Sequence, residues 1–177
     1  MNNFIFQNAT KVYFGKDCVK EYLGSLTEPY STVLLAYGGG SAKRNGIYDE
    51  VTGILKANGK KIVEFSGIMA NPTYAKVQEG AKLVREYDAD MILGIGGGSV
   101  MDCCKAVSLA ARYDGDIWDD FWAKPGVIGT EPVPLGVIVT VAGTASERNG
   151  AAVMTNEEKK VKTGRDYPRL NPGFALM

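Results

Sequence analysis

The chain has 177 residues, 45% of them hydrophobic and 23% charged, which is enough for one domain with a buried core or for one lobe of a larger protein. Its 20 basic and 20 acidic residues cancel, so its charge points to neither a nucleic-acid nor a membrane partner. It contains no histidine, which excludes Ser-His-Asp catalysis, Cys-His catalysis and a histidine-ligated metal site within these residues. With three cysteines, no apolar run of membrane length and no signal-peptide pattern, a cytoplasmic location is expected.

Short apolar segments open the chain. Residues 4–6 and 12–14 predict two strands that form a β-hairpin, and residues 17–25 predict a short helix. An apolar hairpin at a terminus must be covered, either by the edge of its own domain or by a partner subunit. The second alternative leads to the expectation of a homodimer through the N-terminal strands.

Strands and helices then alternate along the sequence. Strands are predicted at residues 32–37, 61–65, 91–95, 135–141, 151–155 and 174–177. Helices are predicted at about 47–57, from Pro72 to before Asp88, and from the glycines near residue 98 to about Tyr113. The alternation predicts an α/β fold with a parallel sheet and helices on both faces. Because the last predicted strand stops at Met177, we expect the chain to be truncated.

The segment at residues 91–102, MILGIGGGSVMD, predicts a buried strand, a glycine turn and the first turn of a helix. Glycines allow the backbone to approach a ligand closely, and the N-terminus of the following helix suits a phosphate. Ser99 and Asp102 have the spacing of a capping box. The alternative is a tight turn that binds nothing.

A second Gly-Gly-Gly-Ser sequence begins at Gly38, directly after the strand at 32–37. We call residues 38–41 the first glycine turn and residues 96–99 the second glycine turn. Parallel strands place both turns at the carboxyl edge of the sheet, where such folds bind ligands, so the pair suggests a ligand with two phosphate-bearing ends. Residues 143–150, the hydroxyl turn, follow the strand at 135–141 and either contact a cofactor or form a simple polar turn.

Taken in order, the motifs of the chain resemble those of the iron-containing (group III) alcohol dehydrogenases, in particular the NADPH-dependent butanol dehydrogenase and aldehyde reductase branch. The resemblance runs from Asn3 to Met177, and its motifs are Phe14-Gly15-Lys16, Tyr37 to Ser41, Asn71-Pro72, Gly94 to Ser99 with Asp102, Thr140, Thr144 to Glu147, Asn149 and Lys162. It implies that residues 1–177 are a Rossmann-like dinucleotide-binding domain, similar to the N-terminal lobe of dehydroquinate synthase. It also implies that the divalent metal, iron or zinc, is held by one Asp and three His of a helical domain that these residues do not include.

The resemblance assigns a cofactor role to each motif. The second glycine turn would hold the pyrophosphate, with Asp102 near the nicotinamide-side ribose, and the first glycine turn would meet the adenosine ribose. Thr140, Thr144 and Ser146 would contact the phosphates and the nicotinamide portion, and Lys162 the ribose. The implied cofactor-binding residues are Gly38, Gly39, Gly40, Ser41, Asn71, Gly96, Gly97, Gly98, Ser99, Asp102, Thr140, Thr144, Ser146, Asn149 and Lys162.

The cofactor preference implied by the resemblance depends on Gly39. Relatives that prefer NAD carry an aspartate there, which accepts a hydrogen bond from the ribose 2′-hydroxyl. Without that carboxylate, and with Ser41, Lys43 and Arg44 nearby, NADP(H) is expected to be preferred over NAD(H). The chain departs from the family pattern at Ala142, Ala145 and Arg148. These departures are expected to change the conformation of the loop around the hydroxyl turn and its contacts on the substrate side.

In the complete enzyme, the resemblance implies hydride transfer between NADP(H) and a primary alcohol or aldehyde such as butanol, with the metal polarising the substrate oxygen. The chain as given is expected to bind NADP(H) without turning over alcohol. One alternative is a free-standing nucleotide-binding or regulatory module, which the absence of histidine favours. Another is a relative of dehydroquinate synthase or the polyol dehydrogenases, which share this lobe, although the first glycine turn and Asn149 fit the alcohol dehydrogenases better.

Overall fold

The computed structural model describes residues 8–177. The strands are β1 (Lys11–Tyr13), β2 (Thr32–Tyr37), β3 (Lys61–Phe65), β4 (Met91–Gly96), β5 (Leu135–Val139), β6 (Ala151–Asn156), β7 (Val161–Asp166) and β8 (Phe174–Leu176). The helices are α1 (Cys18–Thr27), α2 (Ser41–Arg44), α3 (Ile47–Ala57), α4 (Tyr74–Glu86) and α5 (Gly98–Ala110). Three single helical turns lie at Trp118–Trp122, Ser146–Arg148 and Pro168–Leu170.

Six of the strands form one parallel sheet in the order β1-β8-β5-β4-β2-β3, which confirms the α/β fold predicted from the alternation. The strand predicted at residues 12–14 is β1, and it pairs in parallel with β8. The strand predicted at residues 4–6 lies outside the described residues, so the predicted N-terminal hairpin is not tested.

Each face of the sheet has its own hydrophobic core. On β2, Leu34 and Ala36 pack toward α4 and α5, whereas Val33 and Leu35 pack toward α1 and α3. This is why all six residues of β2 and of β4 are buried and why their sequences lack an apolar–polar alternation.

Helix α5 is covered on every side, because β4 and β5, α4 and the β6–β7 hairpin all pack against it. From Val100 to Ala110 every residue is buried except Asp102, which is half-buried. Val100, Cys103, Val107 and Ala110 have the spacing of one apolar helix face in the sequence, but they are only part of the surface that α5 buries.

The structure corrects two predictions about helix starts. Helix α4 begins at Tyr74 rather than at Pro72, and Thr73 caps it by accepting a hydrogen bond from the Lys76 N–H at 3.2 Å. The capping box predicted from Ser99 and Asp102 is wrong: Gly97 is the N-cap of α5 and no side chain caps it. The Asp102 carboxylate is engaged elsewhere, as described below.

Strand β7 and helix α2 were not predicted. Strand β7 pairs with β6 in an antiparallel hairpin outside the main sheet, and α2 begins at Ser41, the last residue of the first glycine turn. Strand β7, with the sequence VKTGRD, carries few apolar side chains, since it is mostly exposed and pairs on one edge only. Within the described residues, no helix combines the length and the apolar character needed to cross a membrane.

Candidate functional site

The two glycine turns lie side by side at the carboxyl edge of the sheet, as predicted. Strands β2 and β4 are hydrogen-bonded neighbours, with Tyr37 opposite Ile95, so the turns that follow them leave the sheet next to each other. The next strand, β5, pairs with β4 on its other side and brings Thr140 to the same edge. The order of the strands thus places three of the predicted cofactor segments in one row.

The first glycine turn is open to solvent at its centre. Gly40 has a φ of +109°, a conformation that favours glycine, and it precedes α2. Gly39 is exposed, and a Cβ added to it would meet nothing within 4 Å. The turn therefore has room for a group beside Gly39, with the Arg44 guanidinium 3.4 Å from the Cβ position of Gly40.

A polar cluster that the sequence did not indicate lies beside this turn. The Lys43 ammonium is 3.6 Å from a Glu64 carboxylate oxygen and 4.4 Å from the centre of the Tyr48 ring. Hydrogen bonds from the Tyr37 and Tyr48 hydroxyls lower the pKa of Glu64, so this carboxylate is charged and offsets part of the charge of Lys43. Glu64 belongs to β3, and only the pairing of β3 with β2 brings it here.

The second glycine turn forms a closely packed cradle at the N-terminus of α5. A Cβ on Gly96 would lie 2.5 Å from a Val100 methyl group, and one on Gly98 would lie 3.0 Å from the Thr144 hydroxyl oxygen. With Gly97 as its N-cap and no capping side chain, the helix directs backbone N–H groups toward the turn. This arrangement suits an anion held by main-chain donors.

The end of β5 and the hydroxyl turn complete this edge. The Thr140 N–H donates to the Gly96 carbonyl at 3.0 Å, and Thr140 and Thr144 are exposed. Thr140 also lines a cleft of about 320 Å³ between the ends of β5 and β8 and the start of α1. Thr140 and Thr144 therefore place two exposed hydroxyl-bearing side chains next to the second glycine turn.

Asp102 contacts the hydroxyl turn rather than the helix end. Its Oδ1 accepts a hydrogen bond from the Ser146 hydroxyl at 2.8 Å, and its Oδ2 accepts one from the Val153 N–H at 3.0 Å. Burial raises the pKa of Asp102, while these two hydrogen bonds oppose the increase. The carboxylate thus ties α5 to the hydroxyl turn and to β6.

Lys105, which the sequence reasoning did not single out, lies beneath Ser146. It is fully buried and donates to Ser146 Oγ at 2.8 Å, Asn149 Oδ1 at 3.1 Å and the Ala151 carbonyl at 2.8 Å. The available signal was the single lysine of α5, about two turns beyond the last glycine and among mostly apolar residues. Such a residue must be paired when it is buried.

Asn71 and Lys162 meet each other, although they are distant in sequence. The Lys162 ammonium donates to Asn71 Oδ1, and a bridge between Thr73 and Thr155 holds the two segments together. Lys162 is on β7, the strand that was not predicted. Within residues 8–177, no group of three or more His, Cys, Asp or Glu side chains is arranged to hold a metal ion.

The fold and this edge define a class: parallel α/β proteins with a ligand site at the carboxyl ends of the strands. Residues 9–177 match the family model described as iron-containing alcohol dehydrogenase. The chain therefore belongs to the iron-containing alcohol dehydrogenase family of oxidoreductases, and the predicted resemblance is confirmed.

Named relatives place the chain more closely within the family. It is 46% identical to the probable NADH-dependent butanol dehydrogenase 2 of Bacillus subtilis and 35% identical to the NADPH-dependent aldehyde reductase YqhD of Escherichia coli; each match covers 100% of this chain and 45% of the relative. The crystal structure of NADH-dependent butanol dehydrogenase A from Thermotoga maritima superposes with a TM-score of 0.91 at 40% identity, covering 99% of this chain and 44% of that one. The chain thus spans less than half the length of these relatives.

Proposed function

We propose that residues 1–177 are the NADP(H)-binding domain of an alcohol dehydrogenase that transfers hydride between NADP(H) and a primary alcohol or aldehyde such as butanol. The observation that carries the proposal is the pair of glycine turns on neighbouring strands, with the hydroxyl turn packed against the second. Two glycine turns side by side at the carboxyl edge of the sheet are what a site for the two halves of a dinucleotide requires. Butanol dehydrogenases and an aldehyde reductase among the relatives support the substrate class.

The residues of this edge would bind and orient the cofactor. The uncapped N-terminus of α5 would offer main-chain N–H groups to the pyrophosphate, and Thr140 and Thr144 would offer hydroxyls beside it. The bound nicotinamide supplies the hydride chemistry, and the chain contributes position and electrostatics. A divalent metal, iron or zinc, would be held by residues outside this chain.

The proposed preference for NADP(H) rests on the first glycine turn. The space beside Gly39 and the nearby Arg44 favour a 2′-phosphate, whereas the charged Glu64 beside Lys43 opposes one. The names of the relatives divide, with NADH in some and NADPH in YqhD. The preference is therefore proposed from this chain's own residues.

Calorimetric titration of the purified chain with NADPH and with NADH tests the binding function. The chain is expected to bind NADPH more tightly. Replacing Gly98 with Ala should weaken binding by about tenfold or more, because the new methyl group crowds Thr144 and interferes with a main-chain contact worth about 1.5–3 kcal/mol.

Gly129→Ala is the matched control, since Gly129 is exposed and an added Cβ there meets nothing within 4 Å. The control should bind as the unmodified chain does, and all three proteins should melt at similar temperatures. An unmodified chain that binds neither dinucleotide would contradict the proposed function.

We also propose a homodimer through the N-terminal strands and a cytoplasmic location. The dimer is supported by two exposed apolar side chains, Val12 on β1, which is the edge strand among the described residues, and Phe14 directly after it. The three cysteines, all buried and unbonded to each other, support a reducing compartment. Sedimentation of the chain and of Phe14→Lys tests the dimer: the variant should be monomeric if these strands form the contact.

A further inference from the structure

Lys105 is a buried cation whose hydrogen-bonding capacity is fully used. An ammonium group has three N–H donors, and the three acceptors of Lys105 are two side chains of the hydroxyl turn and the Ala151 carbonyl. Asn149 Oδ1 also accepts from the Ala151 N–H at 3.0 Å, which closes the network. The conformation of the hydroxyl turn is thus tied to α5 through Lys105 as well as through Asp102.

The network also fixes the direction of the Ser146 hydroxyl. Because Lys105 donates to Ser146 Oγ, the oxygen acts there as an acceptor, and its own hydrogen is free to point to Asp102 Oδ1 at 2.8 Å. The chain of hydrogen bonds therefore runs from Lys105, which donates to Ser146, to Asp102, which accepts from Ser146. Both Ser146 and Asp102 are among the proposed cofactor-binding residues.

We infer that Lys105 is a positioning residue for the proposed dinucleotide site: its ammonium group holds the hydroxyl turn and orients Ser146 toward Asp102, so that cofactor affinity depends on the charge of Lys105. The inference rests on the proposed dinucleotide-binding function. Lys105 acts through these partners and through Asn149, since its ammonium is enclosed by their oxygen atoms.

The charge of Lys105 changes within an accessible pH range. Burial lowers the pKa of Lys105 to about 8, while the charged form is favoured by Asp102 and Cys104 on α5, Glu147 in the hydroxyl turn and Asp166 on β7. A neutral amine has only two N–H donors and cannot serve all three acceptors. We therefore expect cofactor affinity to fall as the pH rises through about 8.

The contribution of Lys105 to the free energy of unfolding should change with pH in the direction opposite to the cofactor affinity. This difference distinguishes a positioning role of Lys105 from a purely structural one. Since the pKa of Lys105 is lower in the folded chain than its ordinary value of 10.5, the unfolded chain binds more protons between pH about 8 and 10.5. The contribution of Lys105 to the free energy of unfolding therefore rises with pH across this range. If Lys105 acted only through stability, affinity would not fall there.

The test is titration with NADPH at pH 7 and pH 9 of the unmodified chain, Lys105→Arg and Lys105→Met, with chemical denaturation at both pH values. The unmodified chain should lose affinity at pH 9. Lys105→Arg, which keeps its charge, should bind at pH 7 within a few-fold of the unmodified chain and lose less at pH 9. Lys105→Met should bind about tenfold or more weakly at pH 7, the usual effect of removing an orienting partner, with little further change.

Lys82→Met, on the exposed face of α4, is the control and should behave as the unmodified chain. If Lys105→Met does not fold, the comparison of the unmodified chain with Lys105→Arg carries the test. The inference would be overturned if the folded variants bound NADPH as tightly as the unmodified chain at both pH values. It would also be overturned if Lys105→Arg lost as much affinity at pH 9 as the unmodified chain does. Either result would leave the proposed function standing. A chain that binds no NADPH at pH 7 would overturn the inference together with the proposed function.

Discussion

At the scale of single residues, the proposed preference for NADP(H) depends on Gly39, which has no side chain where an aspartate would favour NAD(H). Gly39 is exposed at the centre of the first glycine turn, and nothing in the described structure fills the space beside it. A carboxylate there would accept a hydrogen bond from a ribose 2′-hydroxyl and repel a 2′-phosphate. The same position therefore provides a direct test of the preference.

Gly39→Asp should move the preference from NADPH toward NADH by about tenfold or more, because a hydrogen bond to a charged group is worth about 1.5–3 kcal/mol. Competitive titration of both dinucleotides measures the ratio. Gly129→Asp adds the same charge at another open glycine and should leave the ratio unchanged. NADPH binding that is equal or better in Gly39→Asp would show that the turn does not select the cofactor.

At the scale of elements, α4 and α5 begin in different ways. The difference distinguishes a helix start that stabilises the fold from one that is available to bind a ligand. Helix α4 begins at Thr73, whose hydroxyl caps the first turn, whereas α5 begins at Gly97 without a capping side chain. A side-chain cap satisfies one of the free N–H donors at a helix start, whereas a helix start without a cap can offer that donor to a ligand. The two N-termini should therefore respond differently to substitution.

Thr73→Ala should lower the free energy of unfolding by about 1 kcal/mol, the typical value of a lost threonine cap. Dinucleotide affinity should not change, because the capping hydroxyl serves only the α4 backbone. Thr73→Ser keeps the hydroxyl and should restore most of the stability in chemical denaturation. A large loss of affinity in Thr73→Ala would mean that the start of α4 belongs to the site.

At the scale of the whole molecule, the chain carries the proposed cofactor site at the carboxyl edge of its sheet but no candidate metal site in residues 8–177, and its sequence contains no histidine. Its relatives are more than twice as long as the part that it matches. Hydride transfer requires the substrate to be held at near-contact distance from the nicotinamide. Residues 8–177 supply the proposed cofactor site of that reaction and no group of side chains arranged to hold its metal.

The 177-residue chain is therefore expected to bind NADPH and to give no oxidation of butanol with NADP⁺ and added Fe²⁺ or Zn²⁺. Absorbance of the reduced nicotinamide provides the measurement, with the Escherichia coli aldehyde reductase as a positive control for the assay. Turnover by the purified chain would contradict the assignment of the metal ligands to another domain. Binding without turnover is also what a free-standing nucleotide-binding module would show, so the length of the encoding frame must distinguish the two.

The sequence by itself determined the parallel α/β sheet and both glycine turns, because buried strands and glycine triplets leave local patterns. It also placed the turns at one edge, since the carboxyl ends of parallel strands coincide. Only the tertiary structure decided the partners of Asp102, the pairing of Asn71 with Lys162, and the positions of Glu64 and Lys105. These contacts join residues far apart in the chain, and a buried charge is explained only by the oxygen atoms that the fold brings to it.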